Sequence, residues 1–115
     1  AERNNNHALA GLFQTNIEQL GLVAEAAPER GGVGSSDIGN VSQLTAAIHP
    51  YLRIGDVVPH TPEFATAAAS DSGIAAMLNA ARALAMTTFD LQQAENLKIV
   101  RDEFSAWQST VLQEK

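Results

Sequence analysis

Between Asn6 and Leu22 the apolar positions Leu9, Leu12, Phe13, Ile17 and Leu20 recur at spacings of three and four. That period places them on one face of an amphipathic helix over about 5–20, with Gly21 as its C-terminal stop. A short strand is expected over about 21–25. The stretch APERGGVGSSDIGN (27–40) then breaks any periodicity with Pro28 and a cluster of glycines, and reads as a long loop. Loops of that length inside a compact domain tend to be functional or disordered. In LTAAIHPYLRIG (44–55) the residues Ile48, Tyr51, Leu52 and Ile54 have β-type composition, Pro50 argues for an edge position, and Gly55-Asp56 can end the strand.

Beyond that strand the pattern turns helical again. Thr61 is suited to an N-cap, Pro62 to the first helical position and Glu63 to the positive end of the helix dipole, which predicts a short helix through Ala69. Ser70, Asp71 and Ser72 offer a second cap. Ile74, Met77, Leu78, Ala81, Leu84 and Ala85 then form an apolar stripe with small residues between, as expected of a helix packed closely on a sheet. Asp90 is placed to cap a final helix over about 91–112, in which Leu91, Leu97, Val100, Phe104, Trp107 and Val111 are apolar while Lys98, Arg101, Asp102 and Glu103 are solvated.

Composition narrows the function classes. At 115 residues the chain fits one domain with a core of its own. Thirteen acidic residues against seven scattered basic ones give a net charge of -6, which repels phosphate backbones and argues against nucleic acid as a partner. No apolar run approaches the ~18 residues of a membrane helix, so a membrane role is not expected either. Without cysteine there is no disulfide or thiolate chemistry, and any metal must be held by histidine and carboxylates. The absence of cysteine is compatible with the cytoplasm. The opening AERNNNHALA has neither an initiator Met nor the basic and apolar segments of a signal peptide, which suggests processing or a start inside a longer polypeptide.

The candidate chemistry lies in two loops. His60 stands between Pro59 and Thr61-Pro62-Glu63, at an element boundary where sites commonly form. Ser35, Ser36 and Asp37 follow glycines, a pattern shared by Asx-turns and helix caps, and the phosphate-loop lysine is missing. His49 precedes Pro50 in the expected strand, while His7 near a helix N-terminus reads as incidental. Together His60, His49, Glu63, Asp37 and Asp71 supply the ligand types of a zinc site without any diagnostic spacing. Glu63 reads as complementing a helix dipole more readily than as a ligand. A Ser-His-Asp arrangement from Ser35, Ser36, His60 and Asp71 is formally open.

The segment GSSDIGNVSQLTAAIHPYLRIG, followed by HTPEFATAAASDSGIAAMLNAARALAMTTFDL, resembles the C-terminal part of the metal-dependent amidohydrolases of the aminoacylase and carboxypeptidase type. Within them it resembles the branch of aminobenzoyl-glutamate hydrolase subunits and dipeptidase-like proteins. The resemblance spans about 5–110, and the order GSSDIGNVS, IHPY, HTPEF is more specific than any one motif.

It implies an α/β fold: part of a three-layer, zinc-exopeptidase-like catalytic domain, with helices packed on a few strands of a mostly parallel sheet. It also implies a two-metal site, zinc or manganese, that hydrolyses the amide bond of an N-acyl amino acid or dipeptide-like substrate. His60 would be one metal ligand. Ser36, Asp37 and, more weakly, His49 would face the same cleft or support it. The other ligands and the general base would lie in a part of the catalytic domain outside this sequence, beyond an inserted dimerisation domain. Residues 1–115 would then be the C-terminal portion of that domain, inactive alone and partnered by the remainder. Self-association would be a way to cover exposed apolar surface. The competing expectation, from a different class, is a non-enzymatic α/β interaction module that binds a protein partner. A complete small hydrolase lacks a full catalytic set.

Overall fold

The computed structural model describes residues 2–25 and 37–114, and within them the only regular secondary structure is helical. Five helices follow one another: α1 (His7–Gln19), α2 (Ile38–Ser42), α3 (Pro62–Ala68), α4 (Asp71–Leu91) and α5 (Ala94–Gln113). Helix α1 packs against both α4 and α5, which also touch each other, and α3 folds back onto the start of α4.

Local signals explain most of the boundaries. Asn6 caps α1, its side-chain oxygen accepting from the Leu9 N–H at 2.9 Å. At the other end Gly21 adopts φ 84°, the Gly21 N–H donates to the Glu18 carbonyl and the Leu22 N–H to the Ile17 carbonyl, each at 3.0 Å. This paired closure with a left-handed residue just past the helix suits glycine. Thr61 caps α3 with Pro62 behind it and Glu63 in the first turn, and Ser70 caps α4 by accepting from the Gly73 N–H.

The expected α/β architecture is not formed: no strand or sheet occurs among the described residues. The physical reason lies in pairing. β-type composition makes a strand only if a neighbouring backbone takes up its N–H and C=O groups. The stretch 46–54 has one backbone bond to the rest of the described chain, from the Asn6 N–H to the Ala47 carbonyl at 3.0 Å, and otherwise runs irregularly. The expected strand at 21–25 is likewise absent, its first residues being consumed in closing α1.

Two further expectations are corrected. The final helix begins at Ala94 behind Gln93, and Asp90 belongs to the last turn of α4 rather than capping α5. The stripe Ile74, Met77, Leu78 and Leu84 is not packed on a sheet. It is exposed, while α4 turns Gly73, Ala83 and Thr87 inward. Most of the loop predicted over 27–40 lies outside the described residues, and α2 begins near its end.

Among the described residues the buried apolar side chains are Phe13, Ala83 and Val100, and the polar side chains of Asn6, Asn16, Ser42 and Thr87 are buried with them. Asn16 Nδ2 donates to Thr87 Oγ1 at 3.0 Å and to Asp90 Oδ2 at 2.9 Å, tying α1 to α4. Asn96 Nδ2 donates to the Asp90 carbonyl at 2.9 Å, tying α4 to α5. Every buried side-chain nitrogen or oxygen among the described residues has a partner, as interior polar groups require.

Helices α3 and α4 meet at Gly73, where an added Cβ would lie 2.3 Å from the Ala67 carbonyl oxygen and 2.5 Å from that of Ala68. Backbone cannot yield there as a flexible side chain would. Gly73→Ala is therefore expected to lower the unfolding free energy by about 1–3 kcal/mol in a urea titration. Gly11→Ala, where a Cβ meets nothing within 4 Å, should instead raise it by about 0.5–1 kcal/mol through helix propensity.

Candidate functional site

The loop 55–61 carries the most distinctive residue of the described chain. His60 adopts φ 64°, and no other non-glycine residue among those described has positive φ. A side chain in this left-handed region pays a steric cost of about 1 kcal/mol or more relative to an ordinary conformation. The cost is imposed by the neighbouring threonine, whose Oγ1 donates to the Val58 carbonyl at 2.6 Å and accepts from the Phe64 N–H at 3.2 Å. The Thr61 hydroxyl thereby cinches the Val58-Pro59-His60 turn onto the first turn of α3. The imidazole of His60 is exposed, so nothing in its own packing requires a histidine.

His49 lies half-buried on the irregular 46–54 stretch, its ring 4.8 Å from that of Tyr51, with the Tyr51 hydroxyl 3.5 Å from Nδ1. Arg53, further along the same stretch, forms an exposed ion pair with Asp56. Asp37 is exposed at the N-terminal end of α2 with no side-chain cap bond, and its carbonyl accepts from the Val41 N–H at 3.1 Å. Ser35 and Ser36 lie outside the described residues. Glu63 and Asp71 sit exposed in the first turns of α3 and α4, where each complements a helix dipole.

A metal centre needs three or more such ligands converging on one point. Among the described residues no group of three His, Asp or Glu side chains does so, and His60 offers a single imidazole. The described side chains do not fit a two-metal site by themselves. A groove of about 600 Å³ beside α1, α4 and the start of α5 is lined by Leu12, Asn16, Met86, Phe89, Asp90 and Asn96 among others, and none of the histidines lines it.

Two functional anchors are not evident from sequence pattern. Ser42 of the GSSDIGNVS motif is fully buried, its hydroxyl donating to the Gly39 carbonyl at 2.7 Å and accepting the Asn4 N–H at 2.9 Å. With the Gln43 amide donating to the Glu2 carbonyl at 2.8 Å, it pins α2, and so the Asp37 end of that motif, to the N-terminal segment. The second anchor is Glu103 of α5. Its two oxygens accept the N–H groups of His7 at 2.6 Å and Ala8 at 2.8 Å, supplying the charge that the first turn of α1 lacks. The Asn-rich start NNNH signals the cap, but nothing local signals a glutamate 96 residues away.

The chain is similar to the Xaa-Arg dipeptidase of Mus musculus, 39% identical over 103 residues that make up 86% of this chain and 24% of the relative. It is also similar to the Xaa-Arg dipeptidase of Homo sapiens, 36% identical over 103 residues with the same coverage of 86% and 24%. The chain thus spans about a quarter of the length of the curated relatives it matches. No family model matches it. No solved structure matches it closely enough to be informative. None of its described helices is long and apolar enough to cross a membrane.

The strain at position 60 is measurable by itself. His60→Gly should leave stability unchanged or raise it by up to about 1 kcal/mol, and His60→Val should lower it by about 1–2 kcal/mol, both read from chemical denaturation.

Proposed function

We propose that this chain is the C-terminal portion of a peptidase-type amidohydrolase acting on dipeptide-like substrates. The observation that carries the reading is the similarity over 103 residues to dipeptidases whose full length is about four times the matched segment. A dipeptide ending in arginine is the substrate class to try first, since both relatives bear that name. In this reading the remaining ligands, the general base and most of the substrate pocket come from polypeptide outside this sequence. The enzyme would be cytoplasmic and use zinc or manganese.

His60 is the residue of this chain assigned to the metal. Support comes from its exposed imidazole and its place on a turn clamped by Thr61 at the start of α3. Ser36, Asp37 and His49 are assigned to the wall of the same cleft. Ser42 holds the Asp37 end of that wall in place by its buried bonds to Gly39 and Asn4.

The test uses the gene product that contains this sequence, assayed for dipeptide hydrolysis and for metal content by mass spectrometry. His60→Gly, which relieves strain, should retain the helical circular dichroism spectrum while losing metal and at least about a thousandfold in turnover, the scale of removing an essential catalytic group. Turnover and metal content unchanged in His60→Gly would remove His60 from the site. A gene product with neither hydrolysis nor bound metal would remove the enzyme reading altogether. The isolated 115-residue chain is expected to be inactive.

A further inference from the structure

The hydroxyl of Thr61 makes two bonds where a helix cap needs one. As cap of α3, its Oγ1 accepts from the Phe64 N–H at 3.2 Å. Its proton goes the other way, to the Val58 carbonyl at 2.6 Å, the shorter of the two contacts and one that no helix requires. This second bond closes a loop whose interior backbone belongs to Pro59 and His60. The proline ring fixes one torsion of that loop, so the torsions of His60 take up the turn, and they do so with φ 64°. The imidazole is exposed, so the direction in which it leaves the chain is set by this backbone and not by packing.

Ser70 makes the same pair of bonds at the start of α4. Its Oγ donates to the Ala67 carbonyl at 2.5 Å and accepts from the Gly73 N–H at 3.2 Å. The loop it closes holds Ala68 and Ala69, the latter with an ordinary φ of -88°. Two hooks of identical chemistry thus enclose alanines in one case and a histidine in the other. We propose that Thr61 is a positioning residue for His60, acting through the proton it donates to Val58 and not through the oxygen it presents to Phe64. The proposal rests on the assignment of His60 to the reaction made above. The two bonds are separable by substitution, because an ionised Asp caps a helix as well as Thr does but has no proton to donate.

The gene product containing this sequence is compared as Thr61→Ser, Thr61→Val and Thr61→Asp, reading kcat, KM, metal content and amide exchange at Phe64. Thr61→Ser keeps both bonds and should turn over like wild type. Thr61→Val loses both, and should lower kcat by about 10- to 100-fold, the range for removing a group that orients a functional histidine, while the Phe64 amide exchanges faster. In Thr61→Asp the Phe64 amide should stay protected while kcat and metal content fall as in Thr61→Val. Since valine is uncharged, a loss shared by these two variants is not an effect of the new carboxylate. Thr61→Asp turning over like wild type would overturn the proposal and leave Thr61 a helix cap. So would Ser70→Ala lowering kcat as far as Thr61→Val, since it removes the same two bonds without touching the His60 turn. His60→Gly separates this outcome from failure of the enzyme reading. If turnover survives that change, both fall; if it is lost while Thr61→Asp stays active, the positioning role alone falls.

Discussion

The first turn of α1 is the point on which the fold depends. A helix begins with N–H groups that have no partner in the helix itself, and α1 begins where α5 and the 46–54 stretch come together. Asn6 meets this need in three directions. Its side-chain oxygen caps α1, its Nδ2 donates to the buried Val100 carbonyl at 3.0 Å, and its backbone N–H reaches Ala47. Glu103 completes the seal with both carboxylate oxygens and places a negative charge at the positive end of the dipole. Since α1 touches both long helices, fixing its start fixes the bundle.

That arrangement makes the interior unusually dependent on hydrogen bonds. With Phe13, Ala83 and Val100 as its buried apolar side chains, the described chain draws its register from the Asn16–Thr87–Asp90 and Asn6–Val100 contacts. Polar contacts of this kind specify geometry strictly, because a displaced partner leaves a desolvated group unmatched. They supply less of the hydrophobic driving force that burial of large side chains provides. The exposed stripe of α4 is the counterpart of that economy: apolar area that a self-sufficient domain would bury is left on the outside.

Features that depend on adjacent residues are legible in the sequence. The span of α1, its closure at Gly21, the Thr61-Pro62-Glu63 start of α3 and the Ser70 start of α4 all rest on local side-chain to backbone bonding. The sheet is not, because alternation and β-branching describe a surface that fits a neighbouring strand, and no such neighbour exists among the described residues. The α4–α5 break is misplaced from sequence because Asp90 is equally suited to capping a helix and to partnering Asn16, and the tertiary bond to Asn16 takes it. His60 can be singled out by its loop and its motif, but its left-handed backbone cannot, since that conformation is imposed by the Thr61 clamp. Glu103 reads as one more solvated charge until α5 is laid across the start of α1.

The close approach at Gly73 has a mechanical meaning. With no Cβ at Gly73, the start of α4 approaches the Ala67 and Ala68 carbonyls at the end of α3 more closely than any side-chain-bearing residue would allow. The Ser72 hydroxyl also holds the Ile54 carbonyl at 3.3 Å, so both ends of the 54–72 segment are anchored at the same elbow. The turn bearing His60 therefore rides on α4 as a fixed crank on a shaft.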